Sequence, residues 1–159
     1  MLKYLGLMLL AVSGIFISSE YEKKEKKRLF ELAEFIRLIE HIRLKISCFL
    51  APKSDWLSDF KTDSETVSKF LLLAENKTLR ESFSAVRDKL SLLEESEVFL
   101  RLFTSLGKAY KDSEIELLDQ ALSELYELKK RTFSESPKNV KTFKVIATAI
   151  AVGLIILLV

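Results

Sequence analysis

The chain has 159 residues, a net charge of +2, and apolar and charged fractions of 48% and 30%, a length that suits one compact domain of the usual ~100–150 residues. Four Gly and two Pro are too few for a disordered linker, a collagen-like repeat or a turn-rich β-sandwich; one Cys excludes an internal disulfide framework, and one His a His-rich metal site. The charges are confined: all 23 acidic residues lie between Glu20 and Glu135, and of 25 basic residues only Lys3 and Lys144 fall outside residues 20–142.

The first element is the apolar run Leu2–Ile17, whose only charge is Lys3. A membrane-spanning helix needs ~20 mostly apolar residues, and this run reaches that length if Tyr4 and Tyr21 mark the two interfaces. Residues 1–19 therefore read as an N-terminal transmembrane helix, with a cleavable signal peptide as the alternative. The sequence around Val12-Ser13-Gly14 lies inside the apolar run, and no clean A-x-A pattern follows Ile17. Gly6, Ser13 and Gly14 lie near one helix face, where small residues would let a second membrane helix approach.

From Tyr21 the pattern turns amphipathic. Leu29, Leu32, Ala33, Ile36 and Ile39 recur at three- and four-residue steps, with Phe30, Phe35, Leu38, Ile42 and Ile46 widening the stripe. This predicts one long helix to about Cys48, continuous with the first span and stopped by Pro52. Cys48 reads as a small packing residue and His41 as a solvated or partly packed one. A short helix is predicted to hold Asp55, Trp56, Leu57 and Phe60. Trp56 and Phe60 read as a plug for the corner after Pro52, with an exposed interface anchor as the alternative.

Three capping boxes follow, Thr62-x-x-Glu65, Thr78-x-x-Glu81 and Ser113-x-x-Glu116. They predict helices at about 63–75, 79–91 and 113–132, with another at about 94–106 that Gly107 would stop. The reading is all-α, about six helices in a cytoplasmic bundle over residues 20–137. Pro137 separates that bundle from a second span at 138–159, although Pro also suits the first turn of such a helix.

Basic residues flank both apolar ends on the inner side. Lys23, Lys24, Lys26, Lys27 and Arg28 follow the first; Lys138, Lys141 and Lys144 lead into the second. The positive-inside rule then makes the middle cytoplasmic, and these cations can meet anionic head groups. Between them, residues 31–128 carry 13 basic and 19 acidic residues. That acidic body would be repelled by the lipid surface and suits a basic protein partner, for which Glu94, Glu95, Glu97 and Trp56 are the candidate docking residues. A merely solvated helix surface is the alternative.

No catalytic, cofactor or metal pattern is present: no Gly-rich phosphate loop, no H-E-x-x-H, no C-x-x-C. The basic residues interleave with Glu beside the apolar ends, which argues against nucleic-acid binding. The reading is a non-enzyme.

The layout resembles the stage III sporulation protein AB family of endospore-forming bacteria. The N-terminal MLKYLGLMLLAVSG is similar to the family's start. Leu38-Ile39-Glu40, Ile46 and Pro52 resemble its L-x-x-L-E-x-E-I…P-L segment, and Leu102–Gly107 its L-x-x-L-G motif. The chain departs from the pattern at Lys53, at Tyr110-Lys111 and Ser113-Glu114, and at Phe83, where a Trp is usual. The resemblance implies a scaffold in the mother-cell membrane facing the forespore, within a channel or secretion-like apparatus. Its soluble part would resemble the six-helix platform domains of type II secretion and type IV pilus systems. The implied partners are other stage III sporulation channel proteins, including a cytoplasmic ATPase, and self-association is left open. The alternative is a general helical membrane adaptor of a secretion or pilus-like system.

Overall fold

The computed structural model describes the backbone of residues 2–49, 52–88, 90 and 93–158. It does not describe the side chains of residues 2–18, 49, 93, 147, 151–152 and 154–158. The expected interfacial Tyr4, the small-residue face of Gly6, Ser13 and Gly14, and much of the expected second span lie outside the described side chains. Among the described residues no helix is long and apolar enough to cross a membrane.

Five α-helices and one 3-10 turn make up the described chain, with no strand among its residues. They are α1 (Leu2–Phe49), α2 (Glu65–Ala74), α3 (Leu79–Arg87), α4 (Leu93–Ser105) and α5 (Lys111–Leu158), with the 3-10 turn at Lys53–Asp55. The chain divides into a terminal unit, Met1–Lys27 with Arg131–Val159, and a central unit, Arg28–Lys130; α1 and α5 contribute to both.

The expected all-α class and the continuity of the first apolar run with the amphipathic helix are both found. The sixth helix is not: the segment holding Asp55, Trp56, Leu57 and Phe60 is a single 3-10 turn followed by a further turn. Pro52 caps it, the Ser58 amide and hydroxyl both return to the Asp55 carbonyl, and Asp59 takes a left-handed φ of 63° that ends any helix. Ile46 keeps the core position at the end of α1, and Cys48, two residues on and so on the other side of the helix, is exposed rather than packed.

The central core is built around Phe35 of α1. Its ring meets Phe83 edge-on (5.6 Å, 87°), Phe70 at 5.8 Å and Phe99 at 5.2 Å. Phe103 completes the cluster against Phe70 and Phe83. Edge and tilted pairs of this kind suit the ring quadrupole and add about 0.5–1.5 kcal/mol each beyond burial. Ile36, Leu38, Ile39 and Ile42 fill the rest of the α1 face, and Leu118 and Leu125 bring α5 against the core. Cross-links at Lys111 to the Ser47 carbonyl, Arg43 to Asp119 and Tyr126 to Glu40 set α1 and α5 antiparallel in this unit.

The three capping boxes meet different fates. Thr78 and Glu81 form the full reciprocal box, with α3 starting at Leu79. The carboxylate of Glu81 is held below its ordinary pKa by the Thr78 hydroxyl and amide. Helix α2 begins at Glu65, not Asp63: Ser64 is the cap, its hydroxyl accepting from the Val67 amide while donating to Glu31 of α1. Thr62 instead accepts from the Ser64 amide and donates to Glu34. Helix α5 starts at Lys111, so Ser113 lies inside its first turn. Gly107 follows α4 in the left-handed region (φ 85°), the expected helix stop.

Pro137 does not separate two helices; it lies inside α5, which runs through it. An interior Pro costs one backbone hydrogen bond, about 3 kcal/mol, and a helix of 48 residues retains enough others to continue. In the terminal unit Tyr21 stacks on Phe143 (4.7 Å, 13°) and Glu22 bonds Lys144 at 2.8 Å, which sets the two helices antiparallel there as well.

Candidate docking surfaces

The three acidic residues singled out on α4 do not act together. Val98, Phe99 and Leu102 turn inward, and Glu95 stands three, four and seven residues before them. It therefore shares their face, and it is 1% exposed. Its carboxylate takes two hydrogen bonds from Arg28 of α1, at 3.1 and 3.2 Å. Glu94 and Glu97 lie on the opposite side and are exposed; Glu97 pairs with Arg87 of α3. The outward acidic surface of α4 is thus Glu94 and Glu97, and Glu95 is an internal counter-charge.

Glu95 belongs to a seam of buried polar groups. Arg28, Glu31 and Glu34 recur every three residues on α1. Glu31 accepts from the Ser64 and Thr66 hydroxyls, and Glu34 from Thr62 and Arg37. Burying a carboxylate costs several kcal/mol unless charge and hydrogen bonds compensate it, and here each has a donor. The seam ties the start of α2 and the start of α4 to α1. Sequence reading missed it because the partners are 28 to 67 residues apart. The available signal was Glu95 in register with Val98 and Phe99.

Trp56 is buried (7% exposed), with Leu57 and Phe60 packed against the same core. The plug reading of the sequence describes this placement. His41 is partly buried: its Nε2 lies 2.9 Å from the Ser58 carbonyl and its ring 5.4 Å from Phe60, over which Arg37 also sits.

One edge of Trp56 lines a groove of about 860 Å³ in the central unit. The floor is apolar, with Leu71 of α2 and Phe103 and Leu106 at the end of α4. The rim is basic: Lys53, Lys77 and Lys108 from the three connections that meet at this end and Arg80 from the first turn of α3, with Glu75 the acidic lining residue. Gly107 shapes it, since a Cβ there would stand 2.7 Å from Cε of Lys53. Beside it Glu114, buried at the start of α5, accepts from the Gly107 and Ala109 amides at 2.8 Å each and closes the α4–α5 connection. No motif marked these four cations, because they are scattered singly through a segment that is acidic in sum.

The basic collar is partly engaged. Lys23 pairs with Glu20, Lys26 and Lys144 with Glu22, and Arg28 turns inward to Glu95. Lys24, Lys27, Lys138 and Lys141 are exposed. Hydrogen bonding from Lys144 and then Lys26, reinforced by their charge, lowers the Glu22 carboxyl to about 2.

Among the described residues no group of three or more His, Cys, Asp or Glu is placed to hold a metal ion. What these surfaces offer chemically is charge and apolar contact. A family model described as stage III sporulation protein AB matches residues 3–159, essentially the whole chain, and the chain belongs to that family. No curated protein and no solved structure matches it.

Proposed function

We propose, from this family membership, that the chain is a membrane-anchored structural scaffold of the channel apparatus between mother cell and forespore, docking a cytoplasmic ATPase. The observation that carries the reading is the reach of the match: it includes both apolar ends as well as the helical middle. The apolar ends fix the chain in the mother-cell membrane, and the positive residues beside them keep the middle in the cytoplasm. Tyr21 and Phe143, stacked on each other, suit the head-group level, where aromatic rings gather. The lysines of the collar lie at the same level and meet anionic lipid.

The exposed carboxylates Glu94 and Glu97 supply the acidic face that a basic surface of the ATPase would meet. Because such rim charges govern encounter more than affinity, the docking is salt-sensitive. Deletion of the gene in its spore-former should arrest development after polar division, and a wild-type copy should restore spores; normal spore yield in the deletion strain removes the scaffold role. Reversal of Glu94 and Glu97 to Lys should reduce co-purification of the ATPase while the chain remains in the membrane fraction. Unchanged co-purification would make that acidic face a solvated surface only.

A further inference from the structure

The groove beside Trp56 has the opposite charge from the unit that contains it. Residues 31–128 carry 13 basic and 19 acidic residues, yet four of those cations line one groove with the lone carboxylate of Glu75. Elsewhere on this unit Arg37 pairs with Glu34, Arg43 with Asp119, Lys45 with Asp59, Arg87 with Glu97 and Arg101 with Glu124. Among the described residues, Lys53, Lys77, Arg80 and Lys108 make no ion pair within 4 Å. Glu81, next to Arg80, is engaged by Thr78.

We infer that this groove binds an acidic amphipathic segment of a partner protein, its apolar side chains seated on Leu71, Phe103 and Leu106 and its carboxylates met by the four rim cations. The floor gives contact area and the rim gives selection, since a basic or neutral segment would leave the cations crowded and unpaired. Lys53, Lys77 and Lys108 stand on three separate connections and Arg80 on the first turn of α3, a spread that suits an extended series of carboxylates more than a single small anion. The inference does not depend on the acidic face of α4 or on the ATPase reading; it concerns the opposite charge on a different surface.

Trp56 is the chain's single Trp, so its fluorescence reports on the groove without a label. The full chain in neutral detergent micelles would be titrated with a Trp-free acidic amphipathic peptide. A scrambled peptide of the same composition, a basic amphipathic peptide and inorganic phosphate would be run beside it. Saturable change with the acidic amphipathic peptide alone is expected. The double variant Lys77→Glu/Arg80→Glu should weaken it at least tenfold. Lys53→Glu/Lys108→Glu should do the same, and Lys61→Glu, outside the groove, should leave it unchanged. Circular dichroism identical to wild type keeps each variant interpretable.

Equal binding of the scrambled peptide overturns the proposal in favour of bare charge attraction. Competition by millimolar phosphate at equal strength makes the groove a small-anion site instead. Self-association abolished by the Lys77/Arg80 variant and indifferent to the peptide assigns the groove to a second copy of this chain. Absence of any saturable change removes the groove as a docking site.

Discussion

Arg28 and Glu95 are 67 residues apart in the chain and meet through two hydrogen bonds, at 3.1 and 3.2 Å, with the carboxylate 1% exposed. The pair joins α1 to the first turn of α4, where Glu95 stands in register with the buried Val98 and Phe99. Removing one member of such a pair strands the other, at about 3–5 kcal/mol. Glu95→Ala should therefore lower stability by about that much, and Glu97→Ala, on the exposed face, by no more than about 0.5 kcal/mol. Denaturant or thermal unfolding of the micelle-bound chain, followed by circular dichroism, measures both. Equal losses would mean that the Arg28 contact contributes nothing special.

Phe35 is the hub of the central core, in contact with three other Phe rings. Truncation to Ala leaves a cavity between α1, α2, α3 and α4 and should cost about 3–5 kcal/mol. Phe133, which is 68% exposed, offers the contrast: Phe133→Ala should shift the same unfolding transition by less than about 0.5 kcal/mol.

Gly107 combines a left-handed φ of 85° with the Lys53 side chain lying across the space a Cβ would take. Gly107→Ala should destabilise by about 1–2 kcal/mol from the backbone conformation alone. Pairing it with Lys53→Ala, which frees that space, should recover the steric part but leave the conformational part. A double-mutant cycle on unfolding free energies separates the two.

Glu22 provides the pH-dependent contact of the terminal unit. Lys144 and Lys26 hold its folded pKa at about 2, below the ordinary 4.5. The stabilisation is therefore fully present above about pH 4.5 and is lost as pH falls towards about 2. Glu22→Gln should lower the thermal midpoint at pH 6, and most of that gap should close near pH 2, where wild-type Glu22 is about half protonated. A gap of the same size at both pH values would assign the effect to packing instead.

The sequence by itself determined the helical class, the long first helix, the Thr78–Glu81 box and the stop at Gly107. Each rests on spacing or backbone chemistry within one turn of helix, which a chain carries in its local order. It also carried enough scattered motif, from the N-terminal run to Leu106-Gly107, for the family to be legible. Only the tertiary structure decided where charges point. Arg28 and Glu95 pair across 67 residues because α4 packs against α1, Ser64 rather than Thr62 caps α2 while its hydroxyl donates to Glu31 of α1, and Lys53, Lys77, Arg80 and Lys108 gather at one groove because three connections and the first turn of α3 meet there. Side-chain direction and cross-chain pairing depend on which helices pack together, and no local pattern fixes that.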